Sequence, residues 1–383
     1  MQPDTIISTI LKHDKKDTSY KFALLRAIND VALNFPDLGN FGRDVAVPLK
    51  VLAQFWVAYY WPFADANNPI IQRRGGGNIA FHLELTELRS LWQKEFRTIS
   101  RPSDGFIFIN ELRVKRRRDS YSPQLLNVYQ NVLDKIEKAM VNGPISHAGS
   151  EQCKVFKKLL KKYSERGDTA VPIPGTEPEP KDKCLIIPAD WWQTFQKMSL
   201  WIEALCIHEW CLFSETVKQE NGQLADRGLI YRLLTDRPDN RISLTWERNH
   251  INLLLMEGKK FVCPWTETLI VQGIQYDLDH LLPVSLYPIN ELWNLVPAEP
   301  KFNSHIKRDR LPTLEKLRQA QPHLELAYRH YSTSNLLLVA LQEDVEVRFS
   351  TVSPSTVSFP LALASAVVDL IDIVAESRNL ARF

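Results

Sequence analysis

The stretch of residues 276–312 constrains this chain more than any other. Its sequence is YDLDHLLPVSLYPINELWNLVPAEPKFNSHIKRDRLP, and it sets an acid and an imidazole side by side at Asp279 and His280. The first five residues alternate polar and apolar side chains, a pattern that is typical of a strand. Segment 292–296 predicts a partner strand, and segment 298–308 predicts a helix. We therefore expect a compact ββα unit here.

The segments around this unit favour helices, because their apolar residues recur with helical spacing. Helices are predicted at 18–34, 47–63, 84–96, 123–140, 189–217, 227–236 and 244–256, and over most of 313–383. A strand pair is expected at LLLVAL and VEVRF within the last part. The expected fold class is mainly α with a small α+β module, a ββα unit embedded in helical regions.

Domain boundaries follow from changes in composition along the chain. Segment 164–183 contains four Pro and two Gly and has no periodic apolar pattern, so it is the clearest linker candidate. The expected regions are a helical one at 1–163 that docks substrate or a partner, the linker at 164–183, a helical region at 184–258, the ββα module at 259–312, and a mainly helical region at 313–383.

Composition indicates a folded protein without a strong overall charge. The chain has 383 residues, 44% of them hydrophobic, and a net charge of +2. A nucleic acid would therefore be bound through local basic patches. The five cysteines are odd in number and irregularly spaced, which favours a reducing compartment over a disulfide framework.

Neither a membrane segment nor a secretory signal is expected. The most apolar run, at 359–375, contains Asp369 and Asp372, so it is predicted to be a buried helix. The start, MQPDTIISTILKHDKKD, has no cationic stretch followed by a long apolar run. The expected location is the cytoplasm.

The polar residues of 276–312 are suited to cutting a phosphodiester. The attacking water must lose a proton, and an imidazole such as that of His280 is the side chain best poised to take it near neutral pH. A hard divalent cation held by oxygen ligands neutralises the charge that develops on phosphoryl oxygens. Asp279, Asn294 and Asn303 offer such oxygens, and Lys307 and Arg308 add cations nearby.

The order Asp-His, Asn, Asn and then a basic residue resembles the HNH endonuclease family, which has a ββα-metal fold. The contexts DHLLP and NLVP agree with that pattern. The nearest resemblance is to the HNH domain of RNA-guided CRISPR nucleases and to bacterial HNH restriction and defence nucleases. It covers roughly residues 261–312.

The resemblance implies a role for each motif residue. His280 would be the general base, and Asp279 and Asn303 would hold one Mg²⁺ or Mn²⁺ ion. Asn294 would fix the loop that carries His280 through hydrogen bonds to the backbone. Lys307 would contact a phosphate.

Two features depart from the family pattern. Many members bind a structural zinc through two Cys pairs, whereas only Cys263 lies near this motif, so no structural zinc is expected. His305 competes with Asn303 for the third motif position. Residues two apart on a helix face different sides, so only one of them can point at the metal, and the spacing favours Asn303.

Two other segments contain candidate functional residues. The basic run LRVKRRRD, with Arg116, Arg117 and Arg118, is the best candidate for a DNA contact, although such runs are usually solvated surface. Cys206, His208 and Cys211 do not share one helical face, so core packing is the preferred interpretation there.

The leading hypothesis is a metal-dependent HNH endonuclease that hydrolyses DNA, with one site that nicks one strand. A role in restriction or anti-phage defence, with protein partners from such a system, follows from the resemblance alone. The alternatives are a nucleic-acid-binding or complex-forming subunit whose HNH module is inactive, and an RNA nuclease.

Overall fold

The computed structural model describes residues 2–96, 100–149, 154–239 and 242–383. The chain divides into two compact units. Unit 1 comprises Met1–Leu112 and Arg117–Arg237, and unit 2 comprises Arg113–Arg116 and Pro238–Phe383. The fold is mainly α with small sheets, as the sequence predicts.

Unit 1 consists of helices and one small sheet. Its helices are α1 (Pro3–Lys12), α2 (Tyr20–Asn34), α3 (Leu49–Tyr60), α4 (His82–Phe96), α5 (Asp104–Glu111), α7 (Pro123–Met140), α8 (Val155–Leu159), α9 (Ala189–Lys197), α10 (Ser199–Ser214) and α11 (Arg227–Thr235), and α6 (Lys115–Arg118) lies at the unit boundary. Its strands are β1 (Val45–Pro48), β2 (Leu160–Lys162), β3 (Val171–Pro172) and β4 (Lys183–Ile187).

The sheet of unit 1 has the strand order β2-β4-β1-β3. Strand β1 pairs antiparallel with β4, with Val45 opposite Ile187, and parallel with β3, with Val45 also opposite Val171. Strand β1 is buried along its whole length, and α3 begins directly after it at Leu49. The expected helix at 47–63 is therefore a strand end, a helix and a short 3₁₀ turn.

The Pro-rich segment 164–183 is not a linker, which corrects the expected domain boundary. It lies inside unit 1, where Val171 pairs with β1 and where Ala170 and Ile173 are buried. Proline lacks a backbone donor but is tolerated at a sheet edge, and β3 is an edge strand. The boundary between the units instead falls at Arg237 and Pro238.

Unit 2 carries the predicted ββα segment together with four longer helices. The helices are α12 (Thr245–Met256), α13 (Leu314–Tyr331), α14 (Asn335–Glu346) and α15 (Phe359–Ser377), and the strands are β5 (Phe261–Val262), β6 (Leu269–Ile270), β7 (Asp277–His280) and β8 (Leu295–Ala298). Residues from 251 to 375 form one hydrophobic core, so 313–383 is not a separate region.

The strand pair expected at LLLVAL and VEVRF is wrong, because these residues lie mainly in helix α14. The buried positions of α14 are Leu337, Ala340, Leu341, Asp344 and Val345, which follow helical spacing. Similarly, the single helix expected at 189–217 is two helices, α9 and α10, which are separated at Met198.

The predicted buried helix near the C-terminus is present as α15. Its apolar side chains at Leu363, Val367, Ile371 and Val374 are buried in the core of unit 2. Among the described residues, no helix combines the length and apolar character that a bilayer crossing requires.

Candidate active site

Strands β7 and β8 form an antiparallel hairpin that places the Asp-His pair. His280 lies opposite Leu295, and Asp279 lies opposite Val296. Successive strand residues point to opposite faces, so Asp277 and Asp279 share one face and His280 lies on the other. The polar side chains of β7 therefore lie on both faces of the hairpin.

The imidazole of His280 is half-buried and held by a carboxamide. Its Nε2 lies 2.7 Å from Oδ1 of Asn290. A carboxamide oxygen accepts and does not donate, so Nε2 is the donor in this contact. In the neutral ring that donates through Nε2, the basic nitrogen is Nδ1, and a basic ring nitrogen is what a general base requires.

Asn294 fixes the turn that follows His280. Its side chain is fully buried, its Oδ1 accepts from Leu282 N at 2.7 Å, and its Nδ2 donates to Leu282 O at 3.1 Å. The backbone adds a third bond, from Leu281 N to Asn294 O at 2.9 Å. The Asn294 carboxamide thus extends the hydrogen bonding of the hairpin to Leu282, two residues after His280.

Asp279 is buried and accepts hydrogen bonds at both carboxylate oxygens. Lys307 Nζ is 2.7 Å from Oδ1, and Trp265 Nε1 is 2.9 Å from Oδ2. The same Lys307 ammonium donates to the carbonyl oxygen of His280 at 2.6 Å. Lys307 is only 1% exposed. It is therefore placed inside the site, where it ties Asp279 to the backbone of His280.

Asp277 is the site residue that the sequence reasoning missed. Asn303 Nδ2 donates to Asp277 Oδ2 at 3.2 Å, and both side chains are half-buried. A signal for Asp277 was present, because the two-residue period of a strand puts it on the same face as Asp279. Asn303 lies in a π-helical turn, Phe302–Lys307, that follows β8.

Comparison with protein families gives two matches. A family described as a domain of unknown function, DUF8808, matches residues 2–234. The chain belongs to the DUF8808 family. Residues 263–313 match a family described as HNH endonuclease. These residues contain β7, β8 and every contact described above. No curated protein and no solved structure matches the chain.

A buried ion pair connects the HNH domain of this DUF8808 protein to the rest of unit 2. Arg348 Nη2 lies 2.6 Å from Glu291 Oε1, and Glu291 also accepts from the indole of Trp293. Burial alone would raise the pKa of the Glu291 carboxyl, but the adjacent Arg348 lowers it below its usual value. Glu291 is therefore charged, and it anchors the turn that leads to Asn294.

Helices α13 and α14 hold the same turn through its backbone. Leu292 N donates to Asp344 Oδ2 at 2.6 Å. The phenol of Tyr328 donates to Trp293 O at 2.7 Å, and that of Tyr331 donates to Leu295 O at 2.8 Å. The residues 292–295 that carry Asn294 are thus fixed from outside the matched segment.

Two of the other predicted basic residues are held by carboxylates. Arg116 forms an ion pair with Asp344 at 2.6 Å, and Arg117 forms one with Glu111 at 2.5 Å. Arg118 and Arg308 are exposed. Two arginines of the basic run, Arg116 and Arg117, are therefore paired with carboxylates.

His305, the rival for the third motif position, is exposed. Its Nδ1 lies 2.7 Å from Ser304 Oγ and 3.2 Å from Lys301 O. These partners are local, whereas Asn303 bonds to β7. The structure thus brings Asn303, and not His305, to the Asp277 and Asp279 face.

The residues in the CIHEWC segment lie in different environments, as their helical spacing indicates. Cys206 and Cys211 are buried and His208 is exposed. Burial raises the pKa of both thiols, that of Cys211 to about 11. Across the described ranges, no three His, Cys, Asp or Glu side chains converge as a metal-binding group.

Proposed function

We propose that this protein is a metal-dependent HNH endonuclease that nicks DNA, with His280 as the general base. The observation that carries the proposal is that strand β7 holds both His280, bonded to Asn290, and the acids Asp277 and Asp279, which bond to Asn303 and Lys307. This arrangement lies within the segment that matches the HNH endonuclease family.

The donor set fits a hard divalent cation, Mg²⁺ or Mn²⁺. We propose Asp279 and Asn303 as ligands, with Asp277 as a third oxygen donor. Asn303 uses its Nδ2 on Asp277, so its Oδ1 has no partner among the described residues. A carboxylate offers about four acceptor positions, so Asp279 retains some after bonding Lys307 and Trp265. When bound, such a cation stabilises negative charge on phosphoryl oxygens.

His280 would remove the proton from the attacking water through Nδ1. Its Nε2–H would keep donating to Asn290 Oδ1, which stabilises the imidazolium that forms. Lys307 and Asn294 would hold the backbone at His280 and at Leu282, two residues later. Because these contacts form without substrate, they would preorganise the base.

Ion pairing determines which of the predicted basic residues are available to contact the phosphate backbone of DNA. Lys307, Arg116 and Arg117 each neutralise a carboxylate. Arg308 and Arg118 are exposed and are proposed to contact DNA. One site cuts one strand, so a double-strand break would need two copies or two events. A cytoplasmic role in restriction or phage defence, with partner proteins, remains part of the proposal.

A plasmid assay tests this function. Purified full-length protein with Mg²⁺ or Mn²⁺ should convert supercoiled DNA to the open circle. His280→Ala should lower the rate by about 10²–10⁴-fold, because the water loses its general base. The matched control is His305→Ala, which removes an exposed imidazole of the same module and should leave the rate unchanged.

Equal residual activity in the wild type and His280→Ala would refute the enzyme and favour a binding subunit with an inactive module. Presenting RNA and DNA together separates an RNA nuclease from a DNA nuclease, since cleavage confined to the RNA would contradict the proposed substrate.

A further inference from the structure

A cleft in unit 1 lies outside the HNH domain. It has a volume of about 670 Å³ and is lined by two chain segments, 71–78 and 216–220, together with His82. The first segment contains RRGGGN, in which Arg73 and Arg74 precede three consecutive glycines. A cavity of this size is in the range that holds a small organic ligand.

Side-chain hydrogen bonds hold the two walls of the cleft together. Gln219 Oε1 accepts from Ile71 N at 2.8 Å, and its Nε2 donates to Ile71 O at 3.4 Å. Arg74 Nη2 donates to Thr216 Oγ1 at 2.7 Å. Asn78 Oδ1 accepts from Gln72 N at 3.3 Å and so closes the glycine loop at its base. The loop therefore has fixed ends.

The three glycines leave the backbone of the loop accessible. Gly75, Gly76 and Gly77 have φ angles of +80°, +92° and +69°. No atom lies within 4 Å of where a Cβ would stand on any of them. In the described part of the chain their N–H groups make no hydrogen bond. Successive free N–H groups on a glycine loop are suited to bind an anion.

The cleft is also lined by cations. The side chains of Arg73 and Lys218 are exposed and make no ion pair or hydrogen bond with any described residue. Arg74 is a third cation, and among the described residues of the lining Glu220 is the only acid. Helix α4 begins at His82, so the positive end of its dipole also lies at this cleft.

We propose that this cleft binds a phosphate-bearing ligand of nucleotide size, with a phosphate group at the Gly75–Gly77 loop and Arg73 and Lys218 on either side. Three cations against one acid favour a ligand with more than one negative charge, which a phosphate chain supplies and a carboxylate does not. The ligand chemistry is shared by a free nucleotide and a nucleic-acid strand. The proposal concerns unit 1 and is independent of cleavage by the HNH domain.

Calorimetric titration of the full chain in EDTA tests the proposal without strand cleavage. The probes are inorganic phosphate, ATP and a short oligothymidylate. Arg73→Ala with Lys218→Ala should weaken binding of ATP or of the oligonucleotide by about tenfold or more, because charge-assisted hydrogen bonds are lost. Gly76→Ala changes no charge and should also weaken binding, since a Cβ is strained at a φ of +92°.

The matched control is Lys157→Ala with Lys158→Ala, which removes two exposed cations of the same unit. It should leave affinity within about twofold of wild type, a small free-energy change. Binding of ATP without the oligonucleotide identifies a nucleotide site. Binding of the oligonucleotide in competition with ATP identifies a strand. The proposal is overturned if no probe binds, if either cleft variant binds like wild type, or if the control loses as much as the cleft variant.

Discussion

The two units of this protein bury charge to different extents. In unit 2, the ion pairs Asp279–Lys307 and Glu291–Arg348 have side chains that are at most 4% exposed. In unit 1, the partners of Arg26 and Arg89 are more accessible, with Glu203 at 22% and Asp65 at 34% exposure. The core of unit 1 depends instead on aromatic packing, as at the edge-to-face pair of Trp61 and Trp92.

The more deeply buried ion pairs lie in unit 2, which also contains the proposed active site. Apolar packing is non-directional, whereas a buried ion pair requires one geometry because an unpaired buried charge is costly. These two buried pairs bear on the proposed active site, since one ties Asp279 to His280 and the other anchors the turn before Asn294. We infer that the charge buried in unit 2 maintains the positions of the site residues.

The largest effect should come from breaking the Glu291–Arg348 pair. Arg348→Met removes the guanidinium that lies 2.6 Å from the buried Glu291 carboxylate, and it should lower the free energy of unfolding of unit 2 by about 3–5 kcal/mol. Hydrogen exchange of peptides that cover β7 and β8 measures this locally. The control is Arg227→Met, which breaks an exposed pair with Glu215 and should leave the free energy of unfolding close to that of wild type. Equal losses of stability in Arg348→Met and Arg227→Met would contradict the view that the buried pair of unit 2 matters more than an exposed pair of unit 1.

An intermediate effect should come from Gly105 in the aromatic core of unit 1. A Cβ at this position would lie 2.8 Å from Ala58 Cα and 2.8 Å from Trp61 Cβ, so α3 and α5 could not keep their spacing. Gly105→Ala should therefore destabilise unit 1 by about 1–3 kcal/mol.

Chemical denaturation of Gly105→Ala beside Gly228→Ala checks this prediction. Gly228 lies in α11, and its only close neighbour is a carboxylate oxygen of Asp226. Alanine is favoured over glycine in helices by up to about 1 kcal/mol, so this control should be neutral or stabilising. If Gly105→Ala were equally well tolerated, the packing of unit 1 would be looser than described.

The smallest effect concerns pH. Burial raises the pKa of Glu137 in unit 1 to about 7, so its carboxyl favours the protonated form when folded. Its contribution to stability is complete below the unfolded value near 4.5 and is lost as pH rises through about 7. The lowered pKa of Glu291 in unit 2 acts in the opposite sense, because its contribution is lost as pH falls below 4.5.

Glu137→Gln should abolish the loss of stability that unit 1 shows as pH rises through about 7. We expect the variant to gain roughly 1 kcal/mol over wild type at pH 8, after allowance for solvent screening, and to match it at pH 5. Unfolding free energies at the two pH values measure this. If the free energy of unfolding fell between pH 5 and 8 by the same amount in the variant as in wild type, a group other than Glu137 would be responsible for the fall.

The sequence supported correct predictions for several elements whose determining interactions are local. Helix α7 runs from Pro123 to Met140 as predicted, because a proline at the first turn and an apolar stripe specify it. The alternation in β7 likewise predicted the strand that carries the Asp-His pair. Segment 164–183 was misinterpreted because its short strand is specified by pairing with β1, more than 120 residues away, and not by its own composition.

Sequence alone determined the strand that carries the Asp-His pair, because strand period is a local property of the chain. Tertiary structure decided which of the neighbouring charges remain available. Lys307 turns inward to Asp279, Arg116 turns to Asp344, and Asp277 joins Asn303. The charge of a residue is written in the sequence, but its pairing depends on desolvation and on partners that are distant along the chain.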